Sequence, residues 1–180
     1  MKGVVFTEFL ELVEEKFGYE VADHIIETSN LPNKGAYTAV GTYPFGELAT
    51  MLGKLSEHTK IPASDLLVAF GHHLFNTFIR LYGHFFEGIK DSFDFLTNIE
   101  GYIHVEVKKL YPDAELPSIK TEQIDDKTLI LHYVSKRKLA HLAFGLIEKS
   151  LEHFKQKANI KMENKDDSGE NVTITVELTD

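Results

Sequence analysis

Ile103-His104-Val105-Glu106-Val107-Lys108-Lys109-Leu110-Tyr111-Pro112-Asp113-Ala114-Glu115-Leu116-Pro117 runs out of a helical pattern into a proline-bounded loop. Further on, Tyr133-Val134-Ser135-Lys136-Arg137-Lys138-Leu139 closes a strand-like alternation. In the first stretch, Leu96, Ile103, Val107 and Tyr111 surround His104 at helical spacing, so the imidazole lies on or beside a buried face. In the second, Tyr133, Ser135 and Arg137 project from one face if the backbone stays extended. A phenol, a hydroxyl and a guanidinium fork are all donors, suited to a pair of carboxylates. Each signal alone has an ordinary reading: a satisfied core histidine, and a polar strand end.

Working outward, the pattern is helical before His104 and mixed after Pro117. Val5, Phe6, Phe9, Leu10, Val13 and Phe17 predict a helix over 2–17, with Gly18 as its stop. A short helix over 21–28 follows, then the turn formers Ser29 to Gly35. Pro44 and Pro62 each open a helix, with Thr42 and Ser64 as the expected caps. Phe70, Phe75, Phe78 and Tyr82 predict burial of the second of these on more than one face. The helical pattern continues from His84 to Tyr111, with breaks expected near Gly88 and Gly101. Strands are expected over 119–123 and 127–135, because Leu129, Leu131 and Tyr133 alternate with Ile130, His132 and Val134. An amphipathic helix over 137–154 and two last strands, over 158–163 and 172–178, complete the chain. The fold class is α+β: a helical N-terminal part and a C-terminal antiparallel sheet packed with helices. One domain over residues 1–180 is expected, divided near residue 60.

Composition narrows the function. The chain contains no cysteine, which rules out disulfides, thiol nucleophiles, iron–sulfur clusters and covalent haem attachment through thioethers. That absence is compatible with a cytoplasmic location. A net charge of −9 argues against non-specific nucleic-acid binding. Glu8, Glu11 and Glu14 interrupt the N-terminal apolar residues, so no signal peptide is expected, and no apolar run predicts a membrane span. No nucleophile elbow, phosphate loop or paired carboxylates in an apolar setting are evident, so an enzyme is not expected. Histidines 58, 84, 141 and 153 read as surface positions, and no pair sits at the spacing of a structural zinc site.

Taken together, the quoted stretches resemble the H-NOX family, the haem nitric oxide/oxygen-binding domain also found in soluble guanylate cyclase. The likeness spans essentially the whole chain, from Met1-Lys2-Gly3 through Ala69-Phe70-Gly71 to Gly145-Leu146-Ile147. Its most specific part is the order His104, Pro117, Tyr133-x-Ser135-x-Arg137. The resemblance implies a non-covalent b-type haem, with His104 as the proximal iron ligand. It implies that Tyr133, Ser135 and Arg137 hold the haem propionates, and that Pro117 presses on the porphyrin. Val5 would pack on the macrocycle, with Phe78 and Leu146 in the pocket wall. Family members that hold oxygen tightly use a distal tyrosine with polar support, because bound O₂ carries partial negative charge. The matching positions here are Leu142, Phe9 and Leu74, all apolar. His73 and Asn76 are the alternative donors that the fold could bring in.

The resemblance therefore implies a sensor that binds NO and CO and excludes O₂. Its output would be release of the helix bearing His104, read by a separately encoded histidine kinase or cyclic-di-GMP enzyme. Several NO-sensing relatives carry a Cys/His zinc site towards the C-terminus. Ile160 to Ile174 contains neither residue, so no zinc is expected. The Asp166 to Glu170 turn lacks EF-hand spacing. The rival reading is a haem-free module in which the same Tyr133, Ser135 and Arg137 ladder holds an apolar carboxylate.

Overall fold

The computed structural model describes residues 1–180. Four helices come first: α1 (Gly3–Phe17), α2 (Tyr19–Thr28), α3 (Phe45–Thr59) and α4 (Ala63–Tyr82). A 3₁₀ turn at Gly83–Phe86 leads to α5 (Ser92–Asn98), a π-helical turn at Ile99–Ile103 and α6 (His104–Leu110). Then come β1 (Ser118–Gln123), β2 (Thr128–Val134), α7 (Ala140–His153), β3 (Lys157–Asn164) and β4 (Asn171–Thr179). The four strands form one antiparallel sheet in the order β1-β2-β4-β3. No helix is long and apolar enough to cross a membrane.

The strand alternation decides how the sheet faces its helices. Leu129, Leu131 and Tyr133 of β2 are buried, while His132 and Val134 are exposed. They pair across the ladder with Val176, Ile174 and Val172 of β4. This face packs on Ala140, Ala143, Ile147 and Leu151, which recur at helical spacing along α7. Each buried aliphatic side chain contributes about 1.5–3 kcal/mol.

A second apolar cluster joins Phe6, Phe9 and Val13 of α1 to Ala22, Ile25, Met51, Leu55, Phe70 and Leu74. Helix α4 belongs to both clusters: Leu66, Phe70 and Leu74 face the N-terminal one, and Phe75 faces the sheet-side one. That double role accounts for its aromatic residues on several sides. It also packs against α7 with almost no space between backbones. A β-carbon at Gly71 would stand 2.5 Å from the Leu142 carbonyl oxygen, and one at Gly145 would collide with that of Val68.

Four local expectations are corrected. Thr42 does not cap α3; Pro44 precedes it, and the Thr42 hydroxyl donates to Asp113 Oδ2 at 2.7 Å. Ser64 lies inside the first turn of α4, after Pro62, and its hydroxyl donates to Asp65. The last helix starts at Ala140 rather than Arg137, because Lys138 takes a left-handed backbone with φ 55°. Gly101 does not break the helical path either. The chain widens there into a π turn and runs directly into α6.

Candidate functional site

A cavity of about 300 Å³ lies between α1, α4, α6, α7 and the sheet. Of its 33 lining residues 27 are hydrophobic, so it suits an apolar ligand with a few polar handles. His104, Val5, Leu74, Phe78, Leu142, Leu146, Pro117, Tyr133, Ser135 and Arg137 all line it. Phe9 does not. Its ring is 1% exposed and packs edge-on against Phe70 at 5.3 Å, behind the wall that Leu74 forms.

His104 opens α6, straight after the π turn, and its side chain is 16% exposed. Nδ1 lies 3.2 Å from Glu100 Oε2, which also accepts the Ile119 backbone N–H at 2.9 Å. Burial holds His104 below the usual histidine range, with the Glu100 charge pulling the other way. A neutral imidazole is the form that ligates a metal.

Tyr133, Ser135 and Arg137 meet at the same cavity, but not as one extended ladder. Strand β2 ends at Val134, and the chain then turns. Ser135 Oγ accepts the Arg137 backbone N–H at 3.2 Å, and the Lys138 N–H bonds the Ser135 carbonyl at 3.1 Å. The turn swings the Arg137 guanidinium to Glu115, where Nη1 donates to the backbone carbonyl at 2.7 Å and Nη2 to the carboxylate. Burial pushes the Tyr133 phenol above its ordinary range.

The apolar wall holds neither of the alternative donors. His73 points away, with Nε2 3.0 Å from the buried Glu8 carboxylate, and Asn76 is exposed. The sequence reading missed Tyr82, a cavity residue whose hydroxyl lies 3.0 Å from that of Tyr111. It also missed Lys2, which donates to Thr42 Oγ1 at 2.9 Å and to Asp113 at 3.2 Å. These contacts tie the loop after α6 to the N-terminal segment. Glu100 escaped notice because a glutamate at a glycine-marked break carries no signal of its own.

This donor set fits a haem. One imidazole faces an apolar slot, and hydroxyl and guanidinium donors stand together at the same cavity. The family comparison agrees: a model described as Haem-NO-binding matches residues 2–162. The chain belongs to the H-NOX family. The unliganded Fe(II) H-NOX protein from K. algicida is 40% identical, with a TM-score of 0.96 over 100% of this chain and 97% of that one. An H-NOX protein from S. oneidensis in the Fe(II)NO state is 26% identical, with a TM-score of 0.92 over 100% of each chain. The IWP-051-bound H-NOX from Shewanella woodyi, in the Fe(II)CO state, is 40% identical, with a TM-score of 0.84 over 99% of this chain and 95% of that one. No protein with a curated description matches. H-NOX domains are haem-binding gas-sensor domains, and the α+β arrangement expected from the sequence is the H-NOX fold.

Proposed function

We propose that this H-NOX protein senses NO, also takes CO, leaves O₂ unbound, and signals through the helix that carries His104. The single observation that supports this best is that His104 and the Tyr133, Ser135 and Arg137 donors line one apolar cavity. A non-covalent b-type haem bound there would supply a ferrous iron able to take a diatomic gas. His104 is the proximal ligand in this reading. Arg137, Ser135 and Tyr133 hold the two propionates by charge-assisted and neutral hydrogen bonds. Pro117 and Val5 would pack against the macrocycle, and Phe78 and Leu146 line the same cavity.

Selectivity follows from what the wall lacks. Leu142 and Leu74 offer no hydrogen bond to a polar ligand, and Phe9 lies behind them. His73 is held by Glu8, and the Tyr82 hydroxyl, at the C-terminal end of α4, pairs with that of Tyr111 just after α6. A ligand that needs a donor is therefore disfavoured against one that does not. The solved Fe(II)NO and Fe(II)CO states of the S. oneidensis and S. woodyi proteins lend support by similarity.

The output is a two-state shift, biased by ligand, of α6 and the loop after it. Lys2 and Thr42 grip Asp113 in that loop, so displacement of α6 pulls on the N-terminal segment. The reader of this change is a separate signalling protein of the histidine kinase or cyclic-di-GMP type. Replacing His104 by Gly tests the core of the proposal. The variant should bind haem only when free imidazole is supplied. Wild-type-like ligation without imidazole would remove His104 from the role.

A further inference from the structure

The strength of an axial imidazole depends on what its second nitrogen touches. In this chain the second nitrogen touches a charge. Glu100 Oε2 stands 3.2 Å from His104 Nδ1 and is fixed from the other side by the Ile119 N–H at 2.9 Å. Ile119 pairs directly with Tyr133 in the β1–β2 ladder, so the carboxylate is anchored to the strand end that carries the anion donors. No Lys or Arg forms an ion pair with Glu100; its only such partner is His104. An ionised carboxylate can only accept, so Nδ1 must be the protonated nitrogen of a neutral imidazole. That leaves the lone pair on Nε2, the nitrogen free to ligate.

We infer that Glu100 is a positioning residue that fixes the His104 tautomer and sets the strength of the bond between His104 and the haem iron. The inference rests on His104 being the proximal ligand. A carboxylate drawing on the Nδ1 proton gives the ring imidazolate character and makes it a stronger donor at Nε2. Glu100 therefore opposes the loss of the histidine bond on which the signal depends. Glutamine at this position keeps an acceptor for both Nδ1 and the Ile119 N–H but removes the charge. Alanine removes both.

The test has two arms. In the haem-free protein, nitrogen-15 shifts of the His104 ring should show the Nδ1–H tautomer, and Glu100→Ala should move the population to Nε2–H. The Nε2–H tautomer in wild type would overturn the inference. In the haem-loaded ferrous protein, the iron–histidine stretching band should fall in frequency in Glu100→Gln and further in Glu100→Ala. NO-driven loss of the histidine bond should quicken about tenfold in Glu100→Ala. An unmoved band in both variants, with wild type still His-ligated, would overturn the role of Glu100 alone. A wild-type band that survives His104→Gly would overturn the ligand assignment itself, and the inference with it.

Discussion

Arg137 reaches Glu115 with both ends of its guanidinium fork, one to the backbone carbonyl at 2.7 Å and one to the carboxylate. The two residues sit at the cavity beside Tyr133 and Ser135. A bound propionate would therefore compete with Glu115 for the same donors. Arg137→Ala should shed haem to an acceptor apoprotein about ten- to a hundredfold faster, the equivalent of one charge-assisted hydrogen bond of about 1.5–3 kcal/mol. Glu115→Ala should retain haem at least as well as wild type. Haem-transfer kinetics check both, and faster haem loss from Glu115→Ala than from wild type would contradict the competition.

Leu142 lines the apolar wall and offers no donor. Leu142→Tyr introduces a phenol on α7 facing the cavity. The reduced, haem-loaded variant should acquire an oxygenated spectrum that persists in air for minutes, where wild type does not. An unchanged response to air would show that pocket polarity is not what excludes oxygen.

Much of this arrangement is legible in the sequence. The period-two alternation of Leu129, Leu131 and Tyr133 names the buried face of β2 because one face of an antiparallel sheet meets helices. What escaped notice depends on distant or unusual backbone. Lys138 adopts a left-handed conformation with no glycine to announce it, so the apolar periodicity extends the helix back to Arg137, which only precedes it. Gly101 reads as a break, yet hydrogen bonding carries the helix through it as a π turn, a feature frequent at functional sites. Glu8 shows in the sequence only as an interruption of the N-terminal apolar residues, because its partners are more than sixty residues away.

Glu8 is 6% exposed, accepts the buried Thr77 hydroxyl at 2.5 Å and lies 3.0 Å from His73. It joins α1 to α4, the helices that carry Val5 and Leu74. Glu8→Ala leaves the Thr77 hydroxyl without its acceptor and should cost about 1–3 kcal/mol, with Glu8→Gln milder. Urea denaturation of the two variants provides the comparison. Equal stability for wild type and Glu8→Ala would sink the argument.

Gly145 lets α7 touch α4 where no side chain fits, because a β-carbon there would collide with the Val68 carbonyl oxygen. Gly145→Ala must push the helices apart and should destabilise by roughly 1–3 kcal/mol, despite alanine's better helix propensity. A rise in melting temperature would contradict this packing.

Burial, then the hydrogen bond with Tyr111, pushes the Tyr82 phenol up to about 12. A folded value raised above the unfolded one stabilises fully below pH of about 10. That contribution is lost as pH rises through the folded value. Stability should therefore decline between about pH 10 and 12, and Tyr82→Phe should flatten that part of the decline. Denaturant midpoints across this range measure it; the same slope in the variant would exclude Tyr82.

The most direct measurement of the central claim is the absorption spectrum of the purified, haem-loaded protein, reduced and then exposed in turn to NO and to air. The account predicts a histidine-ligated ferrous Soret band, a blue-shifted band typical of a five-coordinate nitrosyl with NO, and no stable oxygenated spectrum in air. Failure of the protein to retain haem, or a lasting oxygenated spectrum in wild type, would contradict it.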